Sequence, residues 1–350
     1  MPSPLHSPGS PSSPIWPNSS ALPRHDLLIG AERVAPISGA YSTDINPATE
    51  APIALVAQGS PAEVDLAVQT ARRALKGWSR MRAAERGRIL QRFADLLEAH
   101  RDELVALESL DAGKPLAAVR RQDMPAVIDT VRYYAGWADK IHGDVIPARP
   151  DALTYTVREP VGVVAAIVPW NFPLMIGMWK IAPALACGCT VIVKPAEITP
   201  LSALRIGELA LEAGLPPGVL NIVTGKGSVV GDALVGHPGV DKVTFTGSPG
   251  VGRGIMQARP ATSSASRSNW AANRPTSSLP TRISTRRYAP RRQAFSSTPA
   301  RSAPRDRASS RNAPSTTRWS SGSPNGPARS ASATRPCPIR RWVRWCPARN

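Results

Sequence analysis

The sequence predicts an α/β protein built on a doubly wound parallel sheet, flanked by two segments that do not pack. Two observations carry this. After Leu153, short apolar runs of strand character alternate with helical periodicities across short links, the pattern of successive βαβ units. The charge is also divided sharply along the chain: residues 1–257 hold 24 basic and 24 acidic groups, whereas Ala258 to Asn350 holds 19 Arg, no Lys and one acid, Asp306. The whole formal charge of +18 therefore sits in the last stretch. The domain reading is an unstructured 1–25, a globular 26–257, and an unstructured Arg/Ser/Pro-rich 258–350.

The elements follow in order. Residues 1–25, rich in Pro and Ser, lack the apolar surface to offset the entropy of folding. Asp26–Gly30 reads as a short strand, Asn46–Glu50 as a turn, and Ile53–Ala57 as another strand. Ser60 begins a helix: it is an N-cap with Pro61 at the first helical position and Glu63 three residues on, a capping box. Val64, Ala67, Val68 and Ala71 recur at helical spacing. Further helices are expected over Arg82–His100, Asp102–Ser109 and Val119–Lys140. Val161–Val168 is a continuous apolar run, as a strand buried on both faces requires. Then come helix Trp179–Cys187, strand Thr190–Lys194, helix Leu201–Ala213, strand Val219–Val223, helix Val229–Val235 and strand Lys242–Thr246. From Ala258 on, no periodicity matches a helix or strand.

Several classes of protein are disfavoured. No apolar run reaches membrane-spanning length, and the N-terminus has no secretory apolar region. The four cysteines, Cys187, Cys189, Cys337 and Cys346, show neither zinc-ligand spacing nor a disulfide framework, which points to a reducing cytoplasm. No metal site is expected. Cys187 and Cys189, in an apolar run, read as small buried residues rather than nucleophiles.

Three motifs end three of the expected parallel strands: Val168-Pro-Trp-Asn-Phe-Pro173, Val193-Lys-Pro-Ala-Glu197 and Phe245-Thr-Gly-Ser248, the last running into Pro249-Gly-Val-Gly-Arg-Gly254. Ligands bind a parallel sheet at the carboxyl ends of its strands, so three such motifs converge on one edge. Each also has a plain structural reading: a proline-framed turn, a solvated ion pair, and a helix cap.

These segments, in this order and spacing, resemble the NAD(P)-dependent aldehyde dehydrogenase family. Asn46-Pro-Ala-Thr-Glu50, Glu108-Ser-Leu-Asp-Ala-Gly-Lys-Pro115, Tyr133-Tyr-Ala-Gly-Trp137 and Gly214-Leu-Pro-Pro-Gly-Val-Leu-Asn-Ile-Val223 share the resemblance, which covers roughly 230 residues. It implies a Rossmann-like cofactor-binding domain, with about 141–158 forming part of an oligomerisation hairpin. It also implies roles for individual residues. The Asn171 amide helps form an oxyanion hole, where a fixed donor stabilises developing charge. Lys194 and Glu197 contact the adenosine ribose; a carboxylate there repels a 2′-phosphate and favours NAD, with NADP as the alternative. Gly225 and Gly227 form the loop near the adenine. Gly247 and Gly250 allow close backbone approach to a pyrophosphate, and Ser248 opens a helix whose free N–H groups face it. Ile167, Trp170, Phe245 and Val251 wall the cofactor pocket, or are simply core. The substrate is a small-molecule aldehyde, and a homo-oligomer is the family's expectation.

The family also uses a Cys nucleophile and a Glu that activates water, expected in G-Q-V-C and E-L-G-G-K after residue 257. Neither string is present. If shifted codons take the third base of one written codon and the first two of the next, Ser268 to Pro275 permits E-L-G-G-K-S-A. Gln293 to Arg307 permits G-I-F-F-N-A-G-Q-V-C-A-A-G-S-R, and Thr334 to Asn350 permits a further family-like segment. A displaced reading frame beginning near Gln257 to Arg259 accounts for all three and for the arginine bias. The expectation is an aldehyde dehydrogenase by family, inactive as written. The alternative is a non-catalytic cofactor-binding protein whose basic tail grips nucleic acid, a partner the displaced frame makes unnecessary.

Overall fold

A computed structural model describes residues 22–258 and the backbone of 267–270 and 281–284. Five short strands open it: β1 (Arg24–His25), β2 (Leu27–Ile29), β3 (Glu32–Val34), β4 (Tyr41–Ile45) and β5 (Pro52–Ala57). Helices α1 (Pro61–Arg80), α2 (Ala83–Ala99), α3 (Arg101–Ala112), the single turn α4 (Leu116–Ala118) and α5 (Met124–Trp137) follow. Then come β6 (Val145–Arg149), β7 (Ala152–Tyr155), β8 (Val157–Pro160), β9 (Val163–Ile167), α6 (Pro173–Ala186), β10 (Thr190–Lys194), α7 (Leu201–Glu212), β11 (Leu220–Ile222), α8 (Asp232–Gly236), β12 (Lys242–Gly247) and α9 (Pro249–Ala258). Two last strands are β13 (Arg267–Trp270) and β14 (Thr281–Ser284).

The central sheet has seven strands in the order β13-β12-β9-β10-β11-β2-β3. From β13 to β11 all pairings are parallel, and β2 and β3 extend the sheet antiparallel. β10 and β11 build outward on one side of β9, while β12 and β13 build on the other. This reversal is the topological switch point of a doubly wound sheet, where a crevice opens beyond the strand ends.

The strand period of two sorts the sheet residues into two cores. Val164, Ala166, Val191, Val193 and Ile222 pack with α2, α3, α5, α6 and α7. Val163, Ala165, Ile192, Val243 and Phe245 face α1, α8 and α9. The α1 capping box is as its sequence predicts: Ser60 Oγ accepts the Ala62 N–H at 3.2 Å and Glu63 Oε2 accepts the Ser60 N–H at 2.8 Å.

Several expectations are corrected. α6 starts at Pro173 rather than Trp179, because its first turns are apolar on every side and show no amphipathic period. The helix expected over Val119–Lys140 is a wide turn, Val119–Asp123, followed by α5. Pro125 lacks the N–H the ladder would need there, which accounts for the irregular turn before it. Ordered structure begins before residue 26, since β1 pairs parallel with β5. The stretch beyond 258, where no element was expected, supplies β13 beside β12 and β14 antiparallel to β8. A sheet edge offers unpaired N–H and C=O groups, and their pairing is indifferent to side-chain identity. The rest of the predicted tail and residues 1–21 lie outside the described residues.

The hairpin expected near 141–158 is formed by β6 and β7. Among the described residues no helix is long and apolar enough to cross a membrane.

Candidate active site at the carboxyl edge of the sheet

Three predicted site residues stand side by side. Ile167 at the end of β9 is in register with Lys194 at the end of β10 and with Phe245 near the end of β12. Residues in register share a face, so all three point towards α1, α8 and α9. The other predicted residues follow within a few positions: Trp170 and Asn171 after β9, Glu197 after β10, Gly225 and Gly227 after β11, and Gly247, Ser248 and Val251 after Phe245. All lie beyond the carboxyl ends of adjacent parallel strands, around the switch point.

On the β10 side, Lys194 is buried, and burial lowers its pKa although the Glu197 charge partly offsets this. Glu197 is exposed, and its Oε1 accepts the Gly227 N–H at 2.7 Å. The loops after β10 and β11 are thereby joined. Gly225 has a φ of +133°, a conformation that side chains rarely adopt.

On the β12 side, the Phe245 ring is buried beneath Gly247, and a Cβ on Gly247 would lie 2.4 Å from the ring. A side chain there would have to displace the ring, and glycine leaves the backbone at this strand end bare. Among the described residues, apart from its chain neighbours and its own helix backbone, no atom lies within 4 Å of a Cβ on Gly250. Ser248 is the residue before α9: its Oγ accepts the Val251 N–H at 3.4 Å and its carbonyl accepts the Gly252 N–H at 3.1 Å. Val251 is exposed, whereas Ile167 is half-buried against the core.

Across the edge, Trp170 and Asn171 are exposed in the turn between β9 and α6. Pro173 occupies the first position of α6.

Sequence reasoning missed Lys180. It sits on α6, buried, with its Nζ donating to Thr246 Oγ1 at 2.8 Å and Thr244 Oγ1 at 3.2 Å on β12. Burial pushes its pKa down to about 7. An amine in that range can hold or release a proton near neutrality, beside the same sheet edge. The available signal was a single charge in an otherwise apolar helix. Cys187 and Cys189 are buried as expected, and burial raises the Cys187 thiol to about 12, far from thiolate character at neutral pH. Among the described residues, no cluster of His, Cys, Asp or Glu could hold a metal ion.

The arrangement offers exposed backbone, an anchored carboxylate (Glu197) and a buried amine (Lys194) on one side and an exposed side-chain amide (Asn171) on the other. The model of the "Aldehyde dehydrogenase family" matches residues 36–269. Human retinal dehydrogenase 2 is 52% identical over 224 residues, covering 63% of this chain and 43% of that protein. Aldehyde dehydrogenase 1A1 of Gallus gallus is 48% identical over 262 residues, covering 71% of this chain and 51% of that protein. Among solved structures, an NAD+ complex of aldehyde dehydrogenase from Bacillus cereus superposes with a TM-score of 0.66 at 46% identity, over 67% of this chain and 48% of that one. PnpE from Pseudomonas sp. WBC-3 gives 0.69 at 45%, over 71% and 51%. The chain spans about half the length of these relatives. With the strand-end motifs gathered at one sheet edge and the family model matching more than half of its residues, this chain belongs to the aldehyde dehydrogenase family.

Proposed function

We propose that residues 26–257 are the dinucleotide-binding part of an enzyme that oxidises a small-molecule aldehyde to a carboxylate with NAD. The observation that supports this reading is the register of Ile167, Lys194 and Phe245 at adjacent strand ends, with Glu197 joined to Gly227 beyond them and Asn171, Gly247 and Ser248 within a few positions along the chain. The residues fit a dinucleotide. Glu197 and Lys194 lie where ribose hydroxyls find an acceptor and a donor, and the carboxylate disfavours a 2′-phosphate, so NAD is preferred over NADP. Gly247, whose Cβ position is filled by Phe245, keeps backbone open beside the N-terminus of α9, which suits a pyrophosphate. NAD when bound supplies a hydride acceptor, and the Bacillus cereus relative was solved with NAD+. Asn171 donates its amide to the oxygen that gains negative charge when a thiolate attacks the aldehyde.

The thiolate and the water-activating carboxylate belong, in this reading, to the displaced frame across 268–275 and 293–307. The chain as written therefore turns over negligibly, and an uninterrupted DNA frame across Gln257 to Arg259 would overturn the displacement. The hairpin β6–β7, with Val145 and Leu153 exposed, is the proposed oligomerisation surface, and the cytoplasm the proposed compartment.

Titration of the full chain with NAD and with NADP tests the binding. Saturable association with NAD, weaker with NADP, is expected; absence of association with either overturns the proposal. Aldehyde-dependent NADH formation at rates typical of an enzyme would overturn the inactivity.

A further inference from the structure

Helix α3 carries two buried carboxylates one turn apart, Glu108 and Asp111, each only 1% exposed. Glu108 Oε1 accepts the Leu174 N–H at 3.2 Å, and Asp111 Oδ2 accepts the Leu201 N–H at 2.9 Å. Leu174 is the second residue of α6 and Leu201 the first of α7. Helix starts leave N–H groups without intrahelical partners. Neither helix has a side-chain cap of its own, since Phe172 and Pro200 occupy the cap positions. The caps come instead from α3, 66 and 90 residues away in sequence.

The segment after Asp111 adds a third contact. Lys114 Nζ lies 3.7 Å from the centroid of the Phe172 ring, a cation–π contact to the residue next to Asn171. Lys114 is itself held by Asp123. A hydrogen bond closes its loop: Ser109 Oγ donates to the Lys114 carbonyl at 2.6 Å. Gly113 has a φ of +67°, and a Cβ there would lie 2.6 Å from Pro47 Cγ in the Asn46–Glu50 turn.

We propose that α3 and the segment that follows it are the positioning element of the site: Glu108 and Lys114 fix the turn that presents Asn171, and Asp111 fixes the loop that presents Lys194 and Glu197. Two separate stretches that carry the family resemblance, 46–50 and 108–115, thereby act as one brace behind the sheet edge. The proposal rests on the dinucleotide reading for its effect on binding, and on geometry alone for its effect on Asn171.

The test uses the full chain with three readouts: amide exchange by mass spectrometry, the Asn171 side-chain amide signal in selectively labelled protein (identified by its loss in Asn171→Asp), and NAD titration. Glu108→Ala is expected to speed exchange at 172–176 by about tenfold, the scale of a lost buried hydrogen bond. It should also shift the Asn171 signal and weaken NAD. Asp111→Ala should open 200–204 and weaken NAD without shifting Asn171. Glu108→Gln, which keeps an acceptor, should restore the parent pattern. Lys114→Met covers the case in which Glu108→Ala fails to fold, and should shift the Asn171 signal alone. An unmoved Asn171 signal in Lys114→Met or folded Glu108→Ala, or exchange rising evenly along the chain, overturns the proposal. If the parent chain does not bind NAD, the dinucleotide reading fails, while the brace is still decided by the Asn171 signal and the exchange pattern.

Discussion

Glu197 accepts a 2.7 Å hydrogen bond from the Gly227 backbone N–H, and this one contact joins the loops that leave β10 and β11. A carboxylate so anchored keeps one oxygen for a neighbour and presents the other. Hydrogen bonds to charged groups contribute ~1.5–3 kcal/mol, less where water competes as it does here. Glu197→Ala should therefore weaken NAD by roughly 1 kcal/mol, about fivefold, on the same scale. Glu197→Gln removes the charge that opposes a 2′-phosphate, so the preference for NAD over NADP should narrow. Calorimetric titration of the two cofactors against both variants gives the comparison; an unchanged ratio in Glu197→Gln would show that the carboxylate does not discriminate.

Lys180 contributes a pH dependence of known sign. Its pKa falls from the ordinary 10.5 to about 7 on folding, because the charged amine loses water. Between those values the unfolded chain binds the proton and the native chain does not, so stability from this group rises with pH across the window. Lys180→Met removes the penalty. The variant should melt above the parent, by most below about pH 7 and by progressively less as pH approaches the unfolded value. Thermal melts across that range check it, and a constant difference would show that Lys180 titrates normally.

What could be read in the sequence divides by the range of the chemistry involved. The Ser60–Glu63 cap is local, spanning four residues, and it stands as expected. The buried strands β9 and β10 announce themselves as apolar runs bounded by glycine and proline. The start of α6 does not, because a helix buried on all sides has no polar face to set a period. Lys180 and Thr246 are 66 residues apart, as are Glu108 and Leu174, and only the folded sheet brings either pair together. β13 was illegible for a different reason: its pairing depends on the open edge of β12 and not on what its own side chains prefer.

The acidic group on the other face has the opposite slope. Burial raises Glu108 to about 7 and Asp44 to about 6, and it raises Asp111 beside Asp44 as well. For Glu108 the native chain holds a proton between 4.5 and about 7 that the unfolded chain has released. Its contribution is thus complete below 4.5 and is lost as pH rises through about 7. Glu108→Gln cannot ionise. Relative to the parent it should gain stability as pH rises through that window and gain nothing below it, as read from urea midpoints. A parent and variant with parallel pH profiles would place the ionisation elsewhere.

Gly225 and Gly59 test the backbone geometry of the binding loop directly. Gly59 N donates to the Thr224 carbonyl at 3.0 Å, so the exit of β5 lies against the exit of β11. A Cβ on Gly225 would meet Val230 at 2.8 Å and the Gly59 nitrogen at 3.0 Å, and the φ of +133° is itself strained for any side chain. A Cβ on Gly59 would meet the Thr224 oxygen at 2.8 Å. Backbone strain and steric crowding each cost ~1–3 kcal/mol. Gly225→Ala should accordingly lower the melting temperature and weaken NAD, because relief of the clash moves the loop that holds Gly227 against Glu197. Gly59→Ala should be destabilising through the same backbone contact. Once either substitution has pushed the two segments apart the second has less to disturb, so the double variant should lose less stability than the two single losses added. Additive losses would mean that the two glycines serve separate contacts, and that the β5 exit plays no part in shaping the loop.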